Sequence, residues 1–501
     1  MLQHLAEGFA FIANAGSLLA IVAGLLTGIV VGALPGLSAT MAVALLSPVT
    51  FFMAPQIGIP FLLGLFKAAI YAGSIPAITI NTPGTAAAAA TCLDGHVLAR
   101  EGKGRKALEM SLYASVTGDL VSTILLIVAA TWLAGIAIRF GPPEFVMLYL
   151  LALITISSVS GRHAPKAVLS TAIGFLVASV GFDPMSGAQR FTFGSTELSG
   201  GLSFIPILIG LFALSEIFVQ LETRSAQAES LAVPANSSGV TWPEFRAVVP
   251  TLARSSGIGF FIGLLPGIGA EISTWLAYGS AKRRSRHPER FGKGSLEGVA
   301  ASESGNNAAC PGDLIPMMVF GIPGDAVTAI LLGAFIAQGL TPGPLLFEQH
   351  GDLVYGLFAS LLIGNALLLA IGYLGIRWFR RITDIPAAVL YPVVVALCLA
   401  GSFAVNSSVF DVLLTVIAGV VGYAMRKLNM PVAPMVIAML VAPGLESTMR
   451  QSLQLSEGSL LIFVARPISA VLLAFILAGT AFMVWRWLRA PRASLSGDPV
   501  S

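Results

Sequence analysis

Apolar stretches long enough to cross a lipid bilayer recur along this chain and restrict the folds that are open to it. A helix needs about 20 apolar residues to span the hydrocarbon core, and the clearest stretches are 122–138, 202–219, 353–376, 386–404 and 467–484. Only 11% of the residues are charged, whereas a soluble domain typically carries about 25%. The sequence therefore predicts an integral membrane protein with about 12 to 14 membrane segments.

The same arrangement of glycine and proline occurs once in each half of the chain. Glycine recurs at every fourth residue from Gly24 to Gly36 in GLLTGIVVGALPG, and again from Gly259 to Gly267 in GFFIGLLPG. Farther along, Ile-Pro is followed seven residues later by Pro-Gly in SIPAITINTPG, and again 240 residues downstream in LIPMMVFGIPG. Hydrophobic segments broken at corresponding positions of two halves are the best sequence indication of a transporter's binding site. We therefore interpret the chain as a carrier.

A polar stretch at 222–242 separates the two copies of this arrangement and acts as a linker. The first repeat is 1–221 and the second is 243–501. The fold class we expect is an all-α polytopic membrane protein with two inverted-topology repeats. Each repeat is expected to contain a broken helix or a re-entrant hairpin, an arrangement compatible with an elevator-type mechanism.

The distribution of Lys and Arg is the reason for expecting inverted repeats. Loop 282–293 holds six basic residues, but the corresponding loop of the first half, 51–62, holds none. Conversely, loop 95–106 holds four and its counterpart 332–346 holds none. Because basic residues concentrate in cytoplasmic loops, equivalent loops of the two halves should lie on opposite sides of the membrane. The remaining basic clusters, and with them the C-terminus, are expected in the cytoplasm: 377–381, 426–427 and 486–492.

Each Pro-Gly pair interrupts a segment that is otherwise apolar enough to be buried in the membrane. Proline breaks or kinks a helix because it lacks a backbone donor, and glycine permits the unusual dihedral angles of a tight turn. Helices that start after the breaks, from Thr85 and from Asp325, would direct free amides and positive dipole ends toward them. Such a site suits an anionic substrate without any buried lysine or arginine. The alternative is a pair of ordinary proline kinks.

Polar side chains near the breaks are the candidate ligands. Short hydroxyl and amide groups can bind carboxylate oxygens or, together with exposed carbonyls, a dehydrated Na⁺. The candidate substrate ligands are Ser38, Thr40, Ser74, Asn81, Thr82, Pro83, Gly84, Thr85, Asn306, Asn307, Pro323, Gly324 and Asp325. The candidates for cation coupling are Glu271, Ser302 and Glu303. Each of these side chains could instead only satisfy hydrogen bonds between helices.

Two charged residues leave alternatives open. Glu271 is either a solvated acid in the first turn of a helix or a coupling carboxylate. Lys67 lies within an apolar segment, where an ionisable residue is a functional candidate by default. Its ammonium group could equally reach the membrane surface.

Motifs of soluble and membrane enzymes are missing from the sequence. It contains no Walker A motif, no HExxH, no GxSxG and no paired metal-ligand histidines. We therefore expect no enzyme activity and no cofactor. The coupling ion is expected to be Na⁺ or H⁺, and no metal other than a possible Na⁺ is expected. The net charge of +3 arises in loops and indicates topology, not nucleic-acid binding. The competing function is a passive anion channel in which the polar breaks form a filter.

Three long runs around these motifs carry a family resemblance. They are YAGSIPAITINTPGTAAAAATCLDGHVLAREGKGRKAL, GFFIGLLPGIGAEISTWLAYGSAKRRSR and EGVAASESGNNAACPGDLIPMMVFGIPGDAVTAILLGAFIAQGLTPGPLLF. In these runs the chain resembles the large membrane subunit of the tripartite tricarboxylate transporter family, the TctA-like permeases. The resemblance implies a bacterial inner-membrane secondary transporter that imports a tricarboxylate or related carboxylate with a Na⁺ or H⁺ gradient. It also implies a small four-helix membrane partner and a periplasmic solute-binding protein that delivers the substrate.

Overall fold

Helices make up almost all of the structure. The computed structural model describes residues 2–159, 164–183, 185–223, 238–376 and 387–489. Within these residues the strands form one short antiparallel hairpin, β1 (Gly181–Phe182) with β2 (Gln189–Arg190). By length and composition, seven helical segments of the described chain are able to cross a bilayer, and five further apolar helices have 10–17 residues. The prediction of an all-α polytopic membrane protein is confirmed, while the number of crossings and the inversion of the halves stay predictions.

The helices before the predicted linker are α1 (Leu2–Ile12), α2 (Ala15–Ala33), α3 (Ala39–Thr50), α4 (Pro55–Ala72), α5 (Ser74–Ile80), α6 (Ala89–Leu98), α7 (Gly104–Ala137), α8 (Pro142–Val159), α9 (Ala164–Ala178), α10 (Thr196–Ser199), α11 (Phe204–Leu208) and α12 (Ser215–Thr223). A 3₁₀ turn, Ala86–Ala88, precedes α6, and π-helical turns follow α6 at Ala99–Lys103 and α11 at Ile209–Leu214.

The helices after the linker are α13 (Trp242–Gly263), α14 (Gly269–Arg284), α15 (Leu296–Phe320), α16 (Ala326–Ala337), α17 (Leu346–Gln349), α18 (Gly351–Gly375), α19 (Ala387–Asn406), α20 (Val409–Lys427), α21 (Ala433–Leu455), α22 (Ile462–Ala465) and α23 (Pro467–Arg489). A 3₁₀ turn, Pro288–Arg290, follows α14. Most of the predicted linker, 224–237, and the side chains of the basic clusters at 377–381 and 486–492 lie outside the described part of the chain.

Capping side chains explain where several helices begin. Ser295 Oγ accepts a hydrogen bond from the Gly298 amide at 3.1 Å and starts α15. Thr241 and Glu244 form a capping box at the start of α13. These caps satisfy first-turn amides that have no partner within the helix.

The glycine stripes let two pairs of helices pack backbone to backbone. The first stripe, on α2, faces α4, and a Cβ atom at Gly32 would lie 2.9 Å from the Cα atom of Ala69. The second stripe, on α13, faces α15, and a Cβ atom at Gly263 would lie 2.9 Å from the amide nitrogen of Asp313. Such distances leave no room for a side chain, so glycine is what permits the close approach. The two stripes therefore have equivalent packing roles.

Helix α15 lies at the centre of the structure. Every residue from Gly298 to Val319 is buried, and α7, α13 and α14 pack around the helix. Its sequence nevertheless includes the polar run SESGNN, and buried polar groups need partners within the protein. By contrast, α19 and α20 expose large apolar side chains, as lipid-facing helices do.

Candidate substrate cavity

Helices α5 and α15 end before their Pro-Gly pairs instead of bending. The residue after α5, Asn81, has a φ of 56°, and the residue after α15, Gly321, has a φ of 68°, so both are left-handed. The next amide in each copy, that of Thr82 or Ile322, donates to the carbonyl of the proline in the preceding Ile-Pro pair, at 3.3 and 3.1 Å. The two breaks therefore have matching backbone geometry, and neither is a simple proline kink.

The glycine of each Pro-Gly pair packs against the backbone that precedes the break. The Gly84 amide donates to the Gly73 carbonyl at 3.0 Å, and a Cβ atom at Gly84 would lie 2.9 Å from Gly73 Cα. A Cβ atom at Gly324 would lie 2.8 Å from Asp313 Cα. A side chain at either position would force the break away from its supporting helix.

The two Leu-Pro-Gly turns lie beside the breaks. Their final glycines, Gly36 and Gly267, have positive φ angles of 85° and 84°, which side chains rarely tolerate. The Gly267 amide donates to the carbonyl of Gly324 at 2.5 Å. In the second half, the turn and the break therefore form one hydrogen-bonded assembly.

The first break, the end of the second break at Asp325 and both Leu-Pro-Gly turns line one cavity of about 640 Å³. The first turns of α3, α14 and α16 and the 3₁₀ turn before α6 form part of its wall. Because helix N-termini carry unpaired amides and the positive end of the dipole, this wall favours an anion. The predicted site residues that line the cavity are Ser38, Thr40, Thr82, Pro83, Gly84, Thr85, Glu271 and Asp325.

Some of these lining residues already have structural partners. Ser38 caps α3 by accepting a hydrogen bond from a first-turn amide at 3.1 Å, and Asp325 caps α16 in the same way at 2.7 Å. Thr85 Oγ1 is buried and makes no hydrogen bond with the residues that the structure describes. Glu271 lies in the first turn of α14 and is exposed, so both interpretations of this carboxylate stay predictions.

Other predicted site residues are not themselves part of the cavity wall. They are Ser74, Asn81, Ser302, Glu303, Asn306, Asn307, Pro323 and Gly324. Ser74 is buried, with its hydroxyl 2.6 Å from that of Ser111, whereas Asn81 is exposed. The Ser302 hydroxyl lies 3.0 Å from that of Thr91. The structure thus separates these residues from the group around the cavity.

A buried polar network around α15 includes Glu303, Asn306 and Asn307 of this second group. Ser115 donates to the Glu303 carboxylate at 3.2 Å, and the Asn307 amide donates to the Ser115 hydroxyl at 2.9 Å. The Asn306 amide donates to the carbonyl of Ala87 at 3.1 Å. Since Ala87 itself lines the cavity, the network contacts the cavity wall from behind.

An arginine also belongs to the cavity wall, but it is partly exposed, and the expectation of a site without buried lysine or arginine stays a prediction. Arg426, on α20, lines the cavity and forms an ion pair with Glu216 of α12. Its Nε atom is buried and has no hydrogen-bond partner among the described residues. Sequence reasoning placed Arg426 only in a basic cytoplasmic cluster, because no local pattern connects it with the breaks.

Lys67 is buried in the protein and does not reach the membrane surface. It is 2% exposed, and its Nζ atom lies 3.1 Å from Asp119 Oδ1 on α7. Lys67 Nζ also donates to the Leu361 carbonyl at 2.9 Å. Asp119 Oδ1 accepts further hydrogen bonds from Thr123 at 3.0 Å and Asn365 at 3.2 Å. Sequence reasoning missed Asp119, although an acid inside a membrane segment is the signal that identified Lys67.

Comparison of the sequence with known proteins identifies the family of the chain. The family model described as "Tripartite tricarboxylate transporter TctA family" matches residues 18–437. The chain belongs to that family. This TctA-family protein is therefore a multi-pass membrane subunit of a tripartite tricarboxylate transport system.

Two relatives of this TctA-family protein come from Agrobacterium vitis. One, described as an uncharacterized 52.8 kDa protein in the TAR-I ttuC' 3' region, is 36% identical over 469 residues, covering 94% of this chain and 93% of the relative. The other, an uncharacterized protein in the TAR-II ttuC' 3' region, is 36% identical over 215 residues, covering 43% of this chain and 89% of the relative. No solved structure shows significant similarity to this TctA-family protein.

Proposed function

We propose that this TctA-family protein is the permease subunit of a secondary transporter that imports a tricarboxylate or a related carboxylate. Its partners would be a periplasmic solute-binding protein and a small four-helix membrane subunit, and a Na⁺ or H⁺ gradient would drive uptake. The protein would reside in the bacterial inner membrane with its C-terminus in the cytoplasm. The observation that carries the proposal is the cavity that is lined by the first break, by Asp325 at the end of the second break and by both Leu-Pro-Gly turns.

The chemistry of the cavity wall supports a carboxylate as substrate. Amides in the first turns of α3, α14 and α16 can donate to carboxylate oxygens, and the unpartnered Nε of Arg426 is a further donor. Arginine binds carboxylates well because its planar guanidinium offers several donors in one plane.

The acidic residues in the same wall support a cation as the co-transported ion. Glu216, Glu271 and Asp325 all line the cavity, and they would repel a multiply charged carboxylate that entered alone. A co-bound cation would reduce this repulsion and the charge that has to cross the membrane. Coupling to a cation gradient is therefore consistent with the mixed charge of the site.

A passive anion channel is the second candidate. It is favoured because polar backbone from both halves of the chain lines the cavity and could act as a filter. Channel and carrier differ in their response to a driving force and to a binding protein. A channel would equilibrate the carboxylate along its own gradient and would not need a delivery protein.

The decisive experiment is transport in proteoliposomes that contain both membrane subunits. The carboxylate is first identified by a thermal-shift screen on the purified binding protein, with citrate as the initial tricarboxylate probe. We expect radiolabelled substrate to accumulate above its external concentration when an ion gradient and the loaded binding protein are both present. Liposomes with the small subunit alone serve as the control. Rapid equilibration without binding protein or ion gradient would favour the channel and refute the carrier.

A further inference from the structure

Asp313 is a buried carboxylate for which the cavity gives no role. It lies in α15 with an exposed fraction of 0%, and neither of its carboxylate oxygens accepts a hydrogen bond from any residue that the structure describes. An ionised carboxylate in this position loses its hydration without gaining donors, which is strongly unfavourable. The group therefore has to be neutralised by a proton or by a cation.

The charges around Asp313 do not neutralise it. Lys67 of α4, a buried cation, is already paired with Asp119 of α7 at 3.1 Å. Asp325 follows Gly324, which packs against Asp313, and an ionised Asp325 would repel an ionised Asp313. An ionised Asp313 would thus carry an uncompensated negative charge.

Asp313 also packs against the second break, next to the wall of the cavity. A Cβ atom at Gly324 would lie 2.8 Å from Asp313 Cβ, and one at Gly263 of α13 would lie 2.9 Å from the Asp313 amide nitrogen. The residue after Gly324, Asp325, lines the cavity together with Glu271 of α14. A displacement of this break when substrate binds therefore changes the surroundings of Asp313.

We propose that Asp313 is the proton-binding group that couples the ion gradient to transport, an inference that rests on the proposed function as a secondary transporter. A hydronium ion from the periplasm, arriving through the cavity past Asp325, transfers its proton to one carboxylate oxygen of Asp313. One O–H bond of the hydronium ion breaks, its electron pair stays on the released water, and an O–H bond forms on Asp313. On the cytoplasmic side this O–H bond breaks, the electron pair stays on the oxygen, and the proton returns to water.

A proton fits this position better than Na⁺. A dehydrated Na⁺ needs several oxygen ligands arranged around it, whereas a proton needs only one carboxylate oxygen of Asp313. A protonated carboxyl group is neutral and is tolerated in apolar surroundings. Cys310, Leu314 and Ile315, the neighbours of Asp313 on α15, belong to the apolar core.

Transport by the complete complex tests the coupling. The full chain, the small subunit and the binding protein are reconstituted, with radiolabelled citrate or the carboxylate selected by the binding protein as probe. With the membrane potential clamped and Na⁺ equal on both sides, a pH difference of one unit should drive about tenfold accumulation per coupled proton. Asp313→Asn, which imitates the neutral acid, should lose this accumulation and keep exchange of substrate across the membrane. The exposed Asp352 provides the matched control, and Asp352→Asn should keep both activities.

Two transport outcomes would overturn the proposal. One is pH-driven accumulation by Asp313→Asn at the wild-type level. The other is wild-type accumulation that follows a Na⁺ gradient and does not respond to pH. That result would leave the carrier function intact and refute the proton as the coupling ion.

Infrared difference spectroscopy of the purified full chain tests whether the Asp313 carboxyl group is protonated, and this test does not depend on a transport assay. We expect the carbonyl stretch of a protonated carboxyl group in the wild type to disappear in Asp313→Asn. If that variant does not fold, Asp313→Glu retains the carboxyl group and should shift the band. Identical wild-type and variant spectra would contradict the proton assignment. A wild type that fails to transport would refute the proposed function, and the infrared result would still decide the state of Asp313.

Discussion

Removal of one partner from the buried Lys67–Asp119 ion pair should destabilise the protein strongly. Both side chains are almost fully buried, at 2% and 1% exposure, so the remaining charge cannot be hydrated. Breaking a buried pair on one side typically costs about 3–5 kcal/mol. Asp119→Asn leaves the ammonium group of Lys67 with the Leu361 carbonyl as acceptor, which places this variant at the upper end of the range. Lys67→Met leaves Asp119 with donors from Thr123 and Asn365, which places it at the lower end.

A double-mutant cycle separates the ion pair from packing. The variant that carries both Lys67→Met and Asp119→Asn has no unpaired charge, so we expect it to be more stable than Asp119→Asn alone, with a coupling energy of about 1–3 kcal/mol. The free energy of unfolding is measured by titration of mixed micelles with a denaturing detergent. Lys282→Met, at an exposed position, is the control and should change this free energy by less than about 0.5 kcal/mol. Single variants that lose less than about 1 kcal/mol, or strictly additive effects, would refute the reasoning.

Three further predictions concern topology, the breaks and the substrate. Single cysteines in 95–106 and 282–293, in a cysteine-free background, should both resist impermeant thiol reagents on spheroplasts, and labelling of either loop from the periplasm would contradict the inverted repeats. Gly84→Ala should abolish uptake without loss of membrane insertion because the break packs against backbone there, whereas Gly257→Ala, with no neighbouring atom within 4 Å of a Cβ, should transport normally. Arg426→Gln should raise the half-saturating substrate concentration roughly 10- to 150-fold, the equivalent of about 1.5–3 kcal/mol for a charged hydrogen bond; an unchanged value would mean that Arg426 serves only Glu216.

The breaks could be predicted from sequence because proline and glycine act on their own backbone. The sequence motifs around Pro83 and Pro323 are sufficient to locate the helix ends at Asn81 and Gly321 within a few residues. The Leu-Pro-Gly turns were found in the same way, and the structure brings them to the same cavity as the breaks.

The remaining wall of the cavity could not be predicted because it depends on contacts between distant helices. Arg426 follows the breaks by about a hundred residues or more, and no periodicity relates α20 to α16. From the sequence, Asn307 is a candidate substrate ligand and Glu303 a candidate for cation coupling because both are polar residues near the second break. The structure pairs both residues with Ser115 of α7, a helix whose proximity no local pattern reveals.

The direct backbone contact of α2 with α4, and of α13 with α15, has a mechanical consequence. Where glycine meets backbone there is no intervening layer of side chains that could change rotamer and let the two helices slide. Each pair is therefore expected to move as one rigid body. Rearrangements during a transport cycle are then expected at interfaces formed by long side chains that can change rotamer. The glycine-rich helix pairs are expected to move the breaks as rigid units.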